Sequence, residues 1–404
     1  MGFGGLDRLK SLGGGGLLNA SVSPVAIDFG TGCLRALQIA PGDTPTLMAA
    51  ACLETPPELL SDPVARLNWQ LEALPTLLKN KGFKGRRAVC SIPASQTLCR
   101  HLRLQKTDGV SMSALVRSAL PVQLGVDPNT VVFRHVEAGD STKNAGKIEA
   151  ICFVTSRDLV DRLMRAVRGA KLEPVGIHNE FAAVASAFEP VAIASSDKST
   201  TLYLDIGAGL TNLIITRAGK LAFAKSIEIG GRHLDATIGR QLKLDAREAT
   251  RHRMALEYLT AAEARAASAG AAPEPAGTGL MPAPGGTAVM TAPRVQAAKP
   301  GIVPVADLTE SLEILTDEAS MCLRYYGSIF PGEKVDRLVF VGGLARQTPI
   351  CRHVARALKL PAQLGDPLAR VARTGKEPLN GVDLSGPQPG WTVALGLCLS
   401  PTDL

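Results

Sequence analysis

Two distant segments carry the same set of residues able to do phosphate chemistry. Residues 25–39 read VAIDFGTGCLRALQI and residues 202–219 read LYLDIGAGLTNLIITRAG, so in each a strand ends in Asp, an apolar residue, Gly, a small residue and Gly before a second β-rich run. Glycines at such a tip leave backbone N–H groups open to a close oxyanion, and phosphate is the natural guest. Asp28 and Asp205 bring carboxylates to the same rim. Mg2+ prefers that setting, held through one or two carboxylates and its own waters while it bridges phosphate oxygens. A single Asp-X-Gly at a strand end is ordinary turn chemistry. Here it is repeated, and a third element, VFVGGLARQ, stands beside the pair: Gly342 and Gly343 follow a strand and open a helix. Backbone exposed there can lie against a purine or hold a phosphate at the helix N-terminus.

The elements that must position these loops follow from hydrophobic periodicity. Val25 to about Pro56 reads as a three-stranded meander ending in TLMAAACLE, and residues 64–81 as a helix with apolar positions at Val64, Leu67, Leu71, Leu74 and Leu78. Residues 86–177 read as an inserted α/β module with strands AVCSI, TLCRHLRL, TVVFRHVEA, IEAICFVTS and EPVGIH and two helices. IHNEFAAVASAFEP is a strand running into a helix. Ala, Pro, Gly and Thr dominate residues 261–304. Such a composition cannot bury enough apolar surface to offset its ordering entropy, so a flexible insertion is expected there. Residues 1–24 are expected to form a flexible tail. Helical periodicity resumes at DLTESLEILTDEASMCLRYYGS, and WTVALGLCL is a short apolar helix near the end.

Composition narrows the function classes. The chain has 404 residues, enough for two or three domains. Hydrophobic residues make up 46% and aromatics only 4%, so the core is aliphatic and lacks the stacking platforms of single-stranded nucleic-acid binders. No nucleic-acid partner is expected. The 44 basic and 37 acidic residues leave +7 with no Lys/Arg block. The eight cysteines and six histidines lack the spacing of a zinc site or a disulfide framework. They read as ordinary residues in a reducing compartment. No apolar stretch reaches the roughly 18–20 residues a membrane span needs, and a cytoplasmic location is expected.

Taken in this order, the three loops resemble those of the actin-like ATPase superfamily and, within it, the type IV pilus assembly PilM family, related to the cell-division protein FtsA. The resemblance runs from Val25 to about Leu399 outside the Ala/Pro/Gly insertion. It rests on AIDFGTGCLRALQI, with Arg35 where the family usually has Lys, on DIGAGLTNLIITRAGKLAFAKSIEIGGRHLDATIG, and on VFVGGLARQTPICRHVARALKLPAQLGDPLARV. It implies an α/β fold of two actin-like (ribonuclease H-like) domains around a nucleotide cleft, with a small α/β subdomain inserted in the first. The first domain would comprise residues 25–85 and 178–200 with the insertion at 86–177, and the second residues 201–260 and 305–404.

The resemblance also implies ATP and Mg2+ as ligands. Gly30, Thr31 and Gly32, with Arg35, would hold one side of the phosphates, and Gly207, Ala208 and Gly209 the other. Asp28 and Asp205 would organise Mg2+ through water, and Thr211 and Asn212 would add hydrogen bonds. Gly230 and Gly231 would place a helix N-terminus near the ribose. Gly342, Gly343 and Leu344 would face the purine, with Arg346 stacked on it. Relatives carry an acid and a lysine near the ribose and base; here EATRHR supplies Thr250 and Arg253. Glu180 and Asp205 are the candidate catalytic residues. Glu180 stands where superfamily members orient the attacking water, and a first-turn Glu favoured by the helix dipole explains it equally well.

The implied job is that of an ATP-binding component, with weak or no ATPase activity, of a type IV pilus or type II secretion inner-membrane assembly platform. Its partner would be the N-terminal cytoplasmic peptide of a PilN-like single-pass inner-membrane protein, bound in a groove involving the inserted subdomain. Other platform components and self-association stay open. So do three alternatives: a sugar-kinase-like phosphotransferase, an FtsA-like cell-division protein and a scaffold that retains only the fold.

Overall fold

A computed structural model of the chain describes residues 22–140, 146–255 and 306–404. The expected insertion at 261–304 and nearly all of the expected tail at 1–24 lie outside the described residues.

Two sheets are built to one plan. The first has six strands in the order β14 (Leu379–Asn380), β3 (Thr46–Glu54), β2 (Cys33–Ala40), β1 (Val25–Phe29), β4 (Arg87–Ile92) and β8 (Glu173–Asn179). The second has five, in the order β11 (Lys220–Ile227), β10 (Thr211–Arg217), β9 (Thr200–Ile206), β12 (Arg337–Val341) and β13 (Ala362–Leu364). In each sheet an antiparallel hairpin carries the Asp-Gly loop and a parallel strand lies on its other side: β4 beside β1, and β12 beside β9. Alternate side chains of β1 enter different cores, Ala26 one and Val25, Ile27 and Phe29 the other. That two-sided burial is why the run is continuously apolar apart from Asp28.

Part of the expected inserted module belongs to the first sheet. AVCSI and EPVGIH form β4 and β8, paired in parallel with each other and, through β4, with β1. The helix α3 (Arg157–Gly169) packs Leu159, Val160, Leu163 and Val167 into the same core as β1. The physical reason lies in β4: five consecutive buried residues suit a parallel strand covered on both faces, not a half-exposed strand in a small sheet. What remains separate is an antiparallel sheet of β5 (Leu98–Gln105), β7 (Lys147–Ser156) and β6 (Val131–Asp140), with Val116 and Ala119 of α2 (Met112–Ala119) in its core.

The helix α1 spans Pro63–Leu78, started by Asp62, whose carboxylate accepts the N–H groups of Val64 and Ala65. Leu67, Leu74 and Leu77 face the core. Val64, expected on the same face, lies in the first turn and is 62% exposed. The helix α4 (Glu180–Ala194) leaves β8 directly and packs on α9 (Thr392–Leu399), the near-terminal helix that lies against β1. The two helices touch at Gly396, where a Cβ would lie 1.8 Å from the Ala183 carbonyl oxygen. Between them come α5 (Gly231–Leu242), α6 (Ala246–Ala255), α7 (Thr309–Ile329) and α8 (Thr348–Leu358).

Candidate functional site

The tips of the two Asp-Gly hairpins meet. A Cβ on Gly32 would stand 3.3 Å from the Ala208 Cβ, and one on Gly209 would stand 2.8 Å from Thr31 Oγ1. Around this contact opens a cavity of about 400 Å³ lined by both loops, by Asp28, Arg35, Glu180, Asp205 and Asn212, and by Gly342, Gly343 and Leu344. Loops 177 residues apart in sequence, Asp28 to Asp205, therefore share one cleft.

Register decides what faces each aspartate. Arg35 is the cross-strand partner of Asp28 on β1 and β2, and Asn212 that of Asp205 on β9 and β10, so each pair projects on one face of its sheet. Arg35 NH1 lies 3.5 Å from Asp28 Oδ2, and Ser91 Oγ donates to Asp28 Oδ1 at 3.3 Å. Asn212 Nδ2 reaches both Asp205 Oδ2, at 3.4 Å, and Glu180 Oε2, at 3.1 Å. Ser226 donates to Asn212 Oδ1 and fixes the direction of the amide. Glu180 sits in the first turn of α4, but Asn179 caps that helix; the Glu180 carboxylate instead takes the Ala94 N–H and the Asn212 amide.

Three carboxylates in one buried cavity oppose each other's ionisation. Burial pushes Asp28 up, against the pull of Arg35 and Ser91. Burial, with the Asp28 charge adding to it, raises Asp205 to about 6 despite the Asn212 hydrogen bond. Glu180 is held well above its ordinary value by burial first and by the Asp28 and Asp205 charges next. Burial also works against the Arg35 charge, but Cys33, Asp28, Cys52 and Asp205 outweigh it and keep the guanidinium charged. Arg35 faces this carboxylate cluster directly, and Arg232, Arg247, Arg251 and Arg253 also line the cavity. Among the described residues no group of three or more His, Cys, Asp or Glu is placed to grip a metal ion directly.

Several sequence-predicted residues take other roles. Gly230 and Gly231 do not line the cavity: the Gly231 and Arg232 N–H groups at the start of α5 donate to the Gly207 and Ala208 carbonyls, so that helix N-terminus is spent on holding the second loop. Thr211 is fully buried and donates to the Ile229 carbonyl, which anchors the end of β10. Arg346 turns away to Gln388 Oε1 at 2.7 Å and is not part of the lining. Arg253 reaches the cavity wall, but its guanidinium is paired with Asp235 at 2.5 Å, and Thr250 donates to the same carboxylate at 2.8 Å. This closed cluster stands where the resemblance implies an acid and a lysine turned towards a ribose. At the far end Gly342 has φ +88°, a conformation that favours glycine, and its N–H donates to Pro389.

Ser91, Ser226, Asp235 and the Ala94 N–H escaped sequence reasoning, as did Arg232, Arg247 and Arg251 at the cavity wall. One signal was present: Arg35 follows Asp28, and Asn212 follows Asp205, at the same spacing of seven residues.

A family model described as type IV pilus assembly protein PilM matches residues 49–262, more than half of the chain. The chain belongs to the PilM family. The matched span of this PilM-family chain contains Glu180, Asp205, Asn212 and Arg253 and stops short of Gly342. Among solved structures it is similar to a PilM-PilN type IV pilus biogenesis complex at 19% identity, with 94% of this chain and 98% of that chain covered and a TM-score of 0.69. Ethanolamine utilization protein EutJ from Carboxydothermus hydrogenoformans (15% identity, 95% and 90% covered, TM-score 0.45) and MreB 5 of Spiroplasma citri bound to AMPPNP (12%, 94% and 95%, 0.45) also align. No curated protein matches the sequence. The fold is the actin-like one, with mixed α/β sheets on either side of the cleft. No helix among the described residues is long and apolar enough to cross a membrane.

Proposed function

We propose that this PilM-family protein is an ATP-binding switch in the inner-membrane assembly platform of a type IV pilus or related type II secretion machine. The N-terminal cytoplasmic segment of a PilN-like membrane protein would be its partner and hold it at the cytoplasmic face. One observation carries the nucleotide part: two glycine-bearing tips from separate sheets touch over a cavity with two buried carboxylates, Asp28 and Asp205, and the half-buried Glu180, which repel one another. Backbone N–H groups of Gly30 to Gly32 and Gly207 to Gly209 would take the phosphates, and Gly342 to Leu344 the purine. Mg2+ fits as a cation held through water by Asp28 and Asp205, since it relieves their repulsion and no direct cage is present among the described residues. When bound it supplies charge neutralisation at the phosphates. Both Glu180 oxygens already accept hydrogen bonds, from Ala94 and Asn212. An acid so engaged is poorly free to activate water, which favours slow hydrolysis and an output of domain position rather than product.

Calorimetric titration of the full chain with Mg-ATP, for wild type and Asp28→Ala, tests this. Wild type is expected to bind and Asp28→Ala to bind at least tenfold more weakly, because a charge-assisted contact is worth about 1.5–3 kcal/mol. A peptide matching the partner's N-terminal segment should bind with different affinity in the presence and absence of nucleotide. Undetectable Mg-ATP binding to both proteins would remove the switch.

A further inference from the structure

Thr31 and Gly209, whose contact borders the cleft, also line a second cavity, of about 200 Å³. It is shared by the two domains: Ser61, Arg66 and Ser95 line it from the first, and Glu228, Arg232 and His233 from the second. Arg66 on α1 is only 6% exposed and donates to the Leu60 carbonyl at 2.9 Å. Arg232 on α5 reaches across the domain boundary to that same carbonyl at 2.8 Å. Neither guanidinium has an ion-pair partner among the described residues, although Glu228 lines the cavity. The Arg232 Nε is buried with no hydrogen-bond acceptor.

Two guanidinium groups therefore converge on a single neutral oxygen. Burial, followed by the charge of Arg232, holds the Arg66 pKa below its ordinary value, with Asp62 and Glu180 pulling weakly the other way. Buried charge is normally paired, and leaving it unpaired is costly. The guanidinium fork also matches the oxygens of a tetrahedral anion better than any other common side chain does. At about half the volume of the cleft, the cavity suits a small oxyanion with water and not a nucleotide.

We propose that this cavity is an oxyanion site for an anion of the phosphate class, which bridges Arg66 of the first domain and Arg232 of the second. The anion offsets the repulsion between the two cations and ties the domains together beside the hairpin tips. It comes either from solution or from the cleft, past the contact between Thr31 and Gly209. The site adjoins the proposed nucleotide cleft, with which it shares Thr31, Ser95, Gly209, Leu210 and Arg232, but Arg66 lines the smaller cavity alone and the anion needs no nucleotide to be held there.

The test is calorimetric titration of inorganic phosphate into the full chain at constant ionic strength, once alone and once with saturating Mg-ADP, with chloride as the control. Saturable phosphate binding is expected, weakened at least tenfold in Arg66→Gln and in Arg232→Gln and retained in Arg100→Gln, which removes an exposed arginine that lines neither cavity. Equal binding in both arms identifies phosphate from solution; binding only with Mg-ADP identifies phosphate arising beside the nucleotide. Should Arg66→Gln fail to fold, Arg232→Gln decides alone, since its side chain is partly exposed. No saturable binding in either arm, or binding that the arginine variants retain, overturns the proposal.

Discussion

Replacing Asp205 by Asn should make the protein more stable and worse at its job. Asp205 is 8% exposed, and burial raises its carboxyl from 3.8 to about 6. A folded-state value above the unfolded one means that the native state holds the proton more tightly. The stability this contributes is fully present below the unfolded value and is lost as pH rises through about 6. A shift of roughly two units at 1.36 kcal/mol each sets an upper bound of about 3 kcal/mol at neutral pH. Asp205→Asn removes the charge and keeps the shape, and its amide oxygen can still accept from Asn212. At pH 7.5 the variant should be more stable by about 1–3 kcal/mol, and the gap should close below about pH 4. Urea denaturation followed by circular dichroism across that range, with linear extrapolation, measures it. A variant less stable than wild type at pH 7.5, or a gap that does not change with pH, would refute the reasoning. Stability gained by deleting a strained functional charge is the expected trade, so Mg-dependent nucleotide binding should weaken in the same variant.

Two further substitutions test the supports of the cleft. Gly342→Ala would place a Cβ 2.5 Å from Asp205 Oδ1 and 2.6 Å from the Ile206 carbonyl, at a φ of +88°; the strain and the overlap together should cost about 2–5 kcal/mol in a urea midpoint experiment. Asp235→Asn leaves the buried Arg253 guanidinium without its counter-charge and should cost about 3 kcal/mol by the same measurement, with little dependence on added salt.

The sequence made the hairpins legible because their grammar is local: strand, Asp, Gly, small residue, Gly, strand is complete within about fifteen residues. Arg35 and Asn212 were legible for the same reason, since cross-strand pairing within a tight hairpin follows from spacing. Sheet membership was not. β4 and β8 pair with each other across 80 residues, and nothing within AVCSI or EPVGIH says which sheet they will join. A similar limit explains Gly230 and Gly231. The run marks a helix start, but whether its free N–H groups meet a ligand or the Gly207 and Ala208 carbonyls depends on a loop 24 residues upstream. Arg346 and Arg253 failed alike, because Gln388 and Asp235 claim them and neither partner is a neighbour in sequence.

The position of α4 explains why occupancy of the cleft should be felt as domain geometry. It packs closely on α9 at Gly396, and α9 in turn lies against β1 of the first sheet. The helix α4 also packs against β10 and β11 of the second sheet. At its N-terminus Glu180 meets Asn212, which in turn holds Asp205 on β9. A cation or phosphate that changes the charge felt by Asp205 would therefore act on a hydrogen-bonded link between the two domains. Arg232 makes a second link from the same side, through Leu60. Both links are polar and border the cleft, so a ligand there can bias them, working against the one apolar core that joins residues of both sheets around α4.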